Sequence, residues 1–283
     1  MSRVHDALRK SDPSGPNPLL PPNPPVRAGQ PPIAPIPALD LTGLLDKIQT
    51  IPYTPSPEAS LIDTARPTEP PAEEFRSLRT RLNHLQTQQP IHSIVVTSAS
   101  PAEGKSFTAA NLALAQSHLE GNLTILCDFD FRRPVVHNLF QTARSPGATE
   151  FLQGKAELHE VIRHIEGTNL YIMPAGEPVL NPLELLNLAG VKSMIDRLPS
   201  IFNWVILDSP PLLFAADANL VSTLADGLLL VVRMGSTTID AVTRAIGSLC
   251  QNNILGIVVN GAQRSELYSK YNYYHSYYYS KSE

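Results

Sequence analysis

The residues of this chain with the clearest chemical potential are Gly104, Lys105 and Ser106, which end a loop between an apolar strand and a helix. The apolar run Ile94 to Val96 predicts the strand. The helix is predicted by apolar residues after Ser106 that share one side of a helix, namely Ala109, Leu112, Leu114 and Ala115. A phosphate group needs converging backbone N–H donors, a helix N-terminus behind them and a mobile cation. Lys105 is placed to supply that cation, and Ser106 to bind the Mg²⁺ of a nucleoside triphosphate.

Two positions depart from the usual sequence of a phosphate-binding loop. Ala99 stands where the first glycine is expected, and Ala102 stands where a glycine with a left-handed backbone is common. Taken alone, the Gly-Lys-Ser triplet therefore also fits an accidental loop. The rest of the chain decides between these alternatives.

Paired acidic residues follow a second apolar strand. Leu123 to Cys127 predicts this strand, and Asp128 and Asp130 come directly after it. Side chains at i and i+2 of an extended segment project to the same side, so the two carboxylates can organise Mg²⁺ and accept a proton. The alternative is a surface turn closed by Pro134. A third acid, Asp208, ends the strand that begins at Trp204, which is the usual companion of a phosphate loop.

Strands and helices alternate along the chain, and this predicts the fold class. We expect an α/β fold with a mostly parallel sheet and helices on both faces, in three layers. The phosphate loop and the acidic segments all fall at carboxyl ends of strands, where ligands bind in such sheets.

Proline content divides the chain into three predicted parts. Of the 27 prolines, 17 precede Ala72, so residues 1–71 are predicted to be a disordered, proline-rich arm. Residues 72–263 then form one folded domain. Residues 264–283 are predicted to be a flexible tail.

Charge and cysteine content limit the possible partners and compartment. The formal net charge of −4 argues against nucleic acid as the main partner. The two cysteines, Cys127 and Cys250, lie in apolar runs and resemble buried thiols of a reducing compartment. No apolar run reaches the length of a membrane span, and the N-terminus has no signal peptide, so we expect a cytoplasmic chain.

Two further patterns each have two interpretations. Glu73, Arg76 and Arg79 recur every three residues on a predicted helix, which by itself indicates a solvated face with internal ion pairs. Seven of the nine tyrosines fall within twelve residues of the tail, and this indicates either a low-complexity segment or a set of phosphate acceptors. They are Tyr268, Tyr271, Tyr273, Tyr274, Tyr277, Tyr278 and Tyr279.

Taken together, these segments resemble the bacterial tyrosine kinases of the capsule and exopolysaccharide type, which belong to the deviant-Walker P-loop family. Residues 99–106 are similar to the Walker A segment, and residues 125–134 to the family's second Walker A segment. Residues 205–211 are similar to Walker B. The segment from Leu170 to Leu186 and the closing tyrosine cluster also resemble the family.

The resemblance implies ATP and Mg²⁺ as cofactors and an autokinase activity toward the tail. Lys105, Asp130 and Asp208 would be catalytic, and Asp128 would be the base for the incoming tyrosine. Ser106, Asp130 and Asp208 would surround the metal. Nucleotide contacts would come from Asn260, a match to an adenine-binding position, and from the loop residues Ala99, Ser100, Pro101, Ala102, Glu103, Gly104, Lys105, Ser106 and Phe107.

The resemblance also implies partners. Glu73, Arg76 and Arg79 match an E-x-x-R-x-x-R element that docks neighbouring subunits into a ring, where each tail would be phosphorylated in trans. The activator would be a separate membrane protein of the chain-length-determinant type, which would hold the kinase at the inner face of the plasma membrane. Cycles of phosphorylation would then regulate polymerisation and export of a polysaccharide.

Two other classes of protein remain as alternatives. One is a partitioning or positioning ATPase that uses hydrolysis as a switch, although such proteins usually carry a signature lysine where Ser100 stands. The other is a non-catalytic nucleotide-binding scaffold, which Ala99 and Ala102 favour. Retention of Lys105 and of the aspartates argues against the scaffold.

Overall fold

The computed structural model describes residues 43–63, 71–249 and 254–262. Within these ranges the chain forms one eight-stranded sheet flanked by helices. The strands are β1 (Gln49–Ile51), β2 (Ser93–Ser98), β3 (Thr124–Asp128), β4 (Arg163–Ile165), β5 (Leu170–Met173), β6 (Trp204–Asp208), β7 (Gly227–Arg233) and β8 (Ile254–Asn260). The α-helices are α1 (Leu44–Lys47), α2 (Ala72–Gln88), α3 (Lys105–Ser117), α4 (Val136–Leu139), α5 (Ala148–Leu152), α6 (Leu158–Val161), α7 (Pro182–Leu186), α8 (Ala189–Arg197), α9 (Ala216–Ser222) and α10 (Ile239–Ser248).

The strand order brings three chemically important strands together. The order is β1-β4-β5-β3-β6-β2-β7-β8, and every neighbouring pair is parallel except β4 with β5. The carboxyl ends of β3, β6 and β2 therefore meet at one edge, where Asp128 lies directly opposite Asp208 in the β3–β6 register. The predicted fold class is confirmed.

Alternate residues of the central strands pack into different cores, because successive side chains of a strand point to opposite faces. On β3, Ile125 belongs to one buried cluster and Leu126 to the other. Val205 and Ile206 divide in the same way on β6. Both faces of the sheet are therefore covered, with α2 and α3 on the same face.

The predicted disordered arm is wrong for residues 43–63. β1 pairs in parallel with β4, from Gln49 opposite Arg163 to Ile51 opposite Ile165. Ile62 is buried, and its backbone N–H donates to Asn111 Oδ1 at 2.8 Å. A proline that follows a short edge strand removes no necessary hydrogen bond, so the prolines here are compatible with a folded segment. Residues 1–42 and 64–70 lie outside the described residues, and so do residue 263 and the whole predicted tail, residues 264–283.

Candidate active site

The predicted phosphate loop connects β2 to α3. Ala99, at its start, is buried, and Gly104, at its end, precedes the first turn of the helix with φ 95°. Ala102 has φ 63°, the left-handed conformation usually reserved for glycine. Because an L-residue in this region carries a penalty of about 1 kcal/mol, the alanine strains the loop at this position. The loop keeps the strand-loop-helix geometry that the sequence predicted.

The buried side chain of Glu103 holds this loop in place through two hydrogen bonds. Its Oε2 accepts the Ser100 N–H at 2.9 Å, and its Oε1 accepts the Thr237 hydroxyl at 2.6 Å. The residue is 3% exposed. Both carboxylate oxygens of Glu103 are therefore used in hydrogen bonds within the protein, and only the backbone of Glu103 can contribute to phosphate binding.

Asn260, predicted to contact adenine, lies against the phosphate loop. Its Nδ2 donates to the carbonyl of Glu103 at 3.0 Å. Gly104 is favoured by its left-handed backbone angle, and a Cβ atom added there would meet the end of the Asn260 side chain, which would have to move. The hydrogen bond from Asn260 shows that β8 helps to fix the loop.

Lys105 lies at the centre of the charged groups. Its Nζ is 2.7 Å from Asp130 Oδ2 and 3.6 Å from Asp208 Oδ1, and it donates to Ser106 Oγ at 3.1 Å. Burial lowers the pKa of Lys105, but the attraction of Asp208, Asp130 and Asp128 outweighs it and raises the pKa overall. The lysine is therefore charged at neutral pH, as a phosphate-binding cation must be.

Asp128 is bound by backbone amides on both carboxylate oxygens. Oδ1 accepts the Asp130 N–H at 3.2 Å, and Oδ2 accepts the N–H groups of Val135 and Val136, both at 3.0 Å. Burial, followed by the nearby charge of Asp208, raises the pKa of Asp128 to about 8. A pKa in this range suits a proton acceptor, while the three amide bonds show that the same carboxylate shapes the segment after β3.

Asp208 is buried and, in contrast, accepts no backbone N–H group; the donors beside its carboxylate are the side chains of Lys105, at 3.6 Å, and Ser106. Burial raises the pKa of Asp208, and the charge of Lys105 and the hydroxyl of Ser106 oppose this effect. A buried carboxylate without backbone donors is costly unless a cation compensates it. These two oxygens therefore fit a role as ligands of a cation, directly or through water.

The donor set of the site fits Mg²⁺ bound together with a nucleotide. Ser106, Asp130 and Asp208 supply the oxygen atoms that Mg²⁺ prefers. Among the described residues there is no group of three His, Cys, Asp or Glu side chains arranged to hold a metal by themselves. Magnesium would thus use these oxygens together with phosphate oxygens and water.

An ion pair that no sequence motif indicated joins the segment after β3 to the first turn of α9. Arg132 Nε donates to Asp217 Oδ2 at 2.6 Å, and its Nη2 donates to Oδ1 at 3.2 Å. The Asp217 side chain is 2% exposed, whereas that of Arg132 is 51% exposed. The pair lies 85 residues apart in the chain, so no spacing pattern could have indicated it.

The predicted interface stripe on α2 divides in the structure. Arg76 pairs with Glu73 at 3.3 Å on the surface. Arg79 instead turns toward α3, where its Nη1 donates to the Ala115 carbonyl at 2.9 Å. Arg79 thus helps to hold α2 on α3, and the stripe is not a single exposed face.

The predicted phosphate acceptors, Tyr268 to Tyr279, lie outside the described residues. Tyr53 donates its hydroxyl to the Ile62 carbonyl at 2.7 Å, and burial raises its pKa. Tyr171 is buried, which raises its pKa as well. The hydroxyl of Tyr53 is therefore already used in a hydrogen bond, and Tyr171 packs in the core.

Cys127 is a buried free thiol, as predicted, and Cys250 lies outside the described residues. None of the helices in the described ranges is both long and apolar enough to cross a membrane.

The fold and the loop define the class of the protein. A parallel sheet with a Gly-Lys-Ser loop between a central strand and a helix, and with an aspartate at the end of the adjacent strand, is a P-loop nucleotide-binding domain. No protein-family model matches the chain.

Comparison with known proteins gives the family. The chain is 33% identical over 205 residues to the tyrosine-protein kinase YwqD of Bacillus subtilis (strain 168), which is 72% of this chain and 86% of that protein. It is 31% identical to the tyrosine-protein kinase wzc of Salmonella typhimurium (strain LT2) over 80% of this chain but only 32% of that longer relative. The crystal structure of the chimerical protein CapA2B2 matches with a TM-score of 0.69 and 29% identity, over 77% of this chain and 93% of that chain. The chain belongs to the bacterial tyrosine-protein kinases, and the predicted family is confirmed.

Proposed function

We propose that this chain is an ATP-dependent protein-tyrosine autokinase that phosphorylates its own tyrosine tail in trans. The observation that carries the proposal is the placement of Lys105 among Asp130, Asp208 and Ser106, at the end of a phosphate loop. Phosphoryl transfer needs alignment and charge neutralisation more than covalent chemistry by the enzyme. This site offers a cation, oxygen ligands and a proton acceptor within one small volume.

Each residue has a distinct part in the proposed transfer. Lys105 would leave its ion pair with Asp130 to hold the outer phosphates of ATP, and the backbone N–H groups of the loop would hold the inner ones. Asp128 would take the proton of the incoming tyrosine hydroxyl as the tyrosine O–P bond forms and the bond from the γ-phosphorus to ADP breaks. Magnesium, when bound by Ser106, Asp130 and Asp208, would neutralise the phosphate charge.

The tail supplies the acceptors in this proposal. Seven tyrosines within twelve residues offer many equivalent hydroxyls, and each phosphate adds about −1.5 to −2 charges. A modified tail would repel its neighbours and favour dissociation of a ring held by Glu73 and Arg76. The activator would be a membrane protein of the chain-length-determinant type, and the cycle would gate export of a capsular or extracellular polysaccharide.

Intact mass of the full chain after incubation with ATP and Mg²⁺, alone and with a candidate activator segment, tests the proposal. We expect increments of one phosphate each that map to the tail, and their loss in Lys105→Ala. Lys192→Ala is the matched control, because Lys192 is an exposed lysine paired only with the surface residue Asp196. Bound ATP with no gain of mass in either sample would contradict the kinase and leave a scaffold or a switch ATPase, which ATP hydrolysis separates.

A further inference from the structure

A cleft on the α2–α3 face of the molecule combines cationic and apolar groups. Arg76 and Arg79 of α2 and His118 at the end of α3 line a cavity of about 290 Å³. Its remaining lining is apolar and consists of Ile62, Ala72, Ala115 and Leu119. We call this the arginine cleft. No Asp or Glu belongs to its lining in the described part of the chain.

The charges in the arginine cleft favour an anion. Burial, followed by the positive charge of Arg76, lowers the pKa of Arg79. Partial burial and both arginines lower the pKa of His118, so the imidazole is neutral at pH 7. The guanidinium groups thus repel one another, and the nearby carboxylate of Glu73, which pairs with Arg76, opposes that repulsion. An incoming anion would relieve it.

The shape and lining distinguish between anions. Arginine guanidinium groups bind phosphate oxygens in a bidentate manner, and each retains several N–H donors even when one is used, as Arg79 uses one on Ala115. A free phosphate or a carboxylate would leave the apolar walls uncovered. An aryl phosphate would place its ring against Ala115 and Leu119 and its phosphate on the arginines.

The arginine cleft is separate from the phosphate loop. His118 lies 13 residues after Lys105 along α3, which corresponds to ~20 Å at the helical rise of 1.5 Å per residue. One ligand therefore cannot occupy both sites.

We propose that the arginine cleft binds phosphotyrosine, and that its ligand is a phosphorylated tyrosine of the 268–279 tail. The binding chemistry stands on the cleft alone, whereas the source of the ligand rests on the proposed autokinase function. Seven tyrosines in the tail make phosphotyrosine abundant on the same chain once the kinase has acted. Because Arg76 is also expected to dock a neighbouring subunit, occupancy of the cleft would compete with ring assembly, so one bound phosphotyrosine would release a contact directly.

The test is a titration of the full chain, without nucleotide, with O-phosphotyrosine, inorganic phosphate and tyrosine in separate experiments. The readout is the NMR signal of the His118 ring, identified by its absence in His118→Gln, so that binding at the phosphate loop does not interfere. We expect O-phosphotyrosine to shift this signal with a dissociation constant about tenfold lower than that of inorganic phosphate, and tyrosine to leave it unchanged.

Arg76→Gln should raise that dissociation constant about tenfold, whereas Arg81→Gln, an exposed arginine of the same helix, should leave it unchanged. Absence of a shift, equal binding of inorganic phosphate, or an equal loss in both arginine variants would overturn the proposal. The titration uses neither ATP nor phosphoryl transfer. A failed titration therefore leaves the autokinase standing, and a failed mass experiment leaves the affinity of the cleft standing.

Discussion

The carboxyl ends of β3 and β6 carry two buried aspartates that face one another but differ in their hydrogen bonds to the backbone. Asp128 accepts three backbone N–H groups, whereas Asp208 accepts none and lies 3.6 Å from Lys105 and beside the side chain of Ser106. Burial is complete for both residues. The difference indicates that the Asp128 carboxylate holds the segment after β3 in place, whereas the Asp208 carboxylate is available to bind a cation. The sequence does not distinguish them, because each aspartate ends an apolar strand.

The largest effect expected from the difference between Asp128 and Asp208 is on autophosphorylation activity. In Asp208→Asn, the amide removes the charge that would hold magnesium, so we expect autophosphorylation to fall on the order of 10²- to 10³-fold, the effect of losing one charge-stabilising group at a transition state. Folding should be preserved, because the native carboxylate accepts no backbone hydrogen bond that the amide would lose. Incorporation of phosphate measured over time checks the rate, and retention of native activity would contradict the assignment.

The second prediction concerns the stability of the fold, which we expect to depend on Asp128 more than on Asp208. Asp128→Asn replaces one accepting oxygen by an NH₂ group that faces backbone donors, so we expect the free energy of unfolding to fall by about 1–3 kcal/mol. Denaturant unfolding measures this change. Asp240→Asn is the matched control, because Asp240 is exposed and pairs only on the surface with Arg244. If Asp208→Asn destabilised the fold as much as Asp128→Asn, the two carboxylates would not differ as the structure indicates.

The same contrast predicts a pH dependence. The pKa of Asp128 is about 8 in the folded chain, whereas the ordinary pKa of an aspartate is 3.8, so the folded state retains a proton that the unfolded state releases between these values. Stability from this group is present below pH 4 and is lost as the pH rises toward 8, with a slope of up to about 1.4 kcal/mol per pH unit. Unfolding free energies at pH 5, 6, 7 and 8 should decline more steeply for the native chain than for Asp128→Asn. Parallel curves would contradict the shifted pKa.

The smallest effect concerns the phosphate loop that both aspartates serve. Ala102→Gly removes the left-handed strain at φ 63°, and we expect a gain of roughly 0.5 kcal/mol in unfolding free energy after the greater chain entropy of glycine is subtracted. The same change at Ala113, inside α3, should instead destabilise the chain. Thermal unfolding of both variants compares the two signs, and a loss at Ala102 would show that the loop is not strained there.

Local patterns in the sequence predicted much of this site. Ile94 to Ser106 specified the strand, the loop and the helix start, and the acids at the ends of β3 and β6 were correctly placed at one edge of the sheet. These features depend on residues close together in the chain. The different partners of Asp128 and Asp208 could not be predicted, because they depend on how the segment after β3 turns back on itself.

The features of the fold and the site that the sequence did not predict depend on long-range contacts or lie in proline-rich or very short segments. The Arg132–Asp217 pair and the contact of Asn260 with the phosphate loop join residues that are far apart in the sequence. Proline content concealed β1, because a three-residue edge strand between prolines has no periodicity to detect. The antiparallel β4 was likewise too short to identify.

The most direct measurement is the dissociation constant of ATP with and without Mg²⁺ for the native chain, Asp208→Asn and Asp128→Asn. We expect Mg²⁺ to tighten binding about tenfold or more in the native chain and in Asp128→Asn, and to have little effect in Asp208→Asn. That result would establish Asp208 as the carboxylate reserved for the cation. Equal tightening by Mg²⁺ in all three chains would contradict the account.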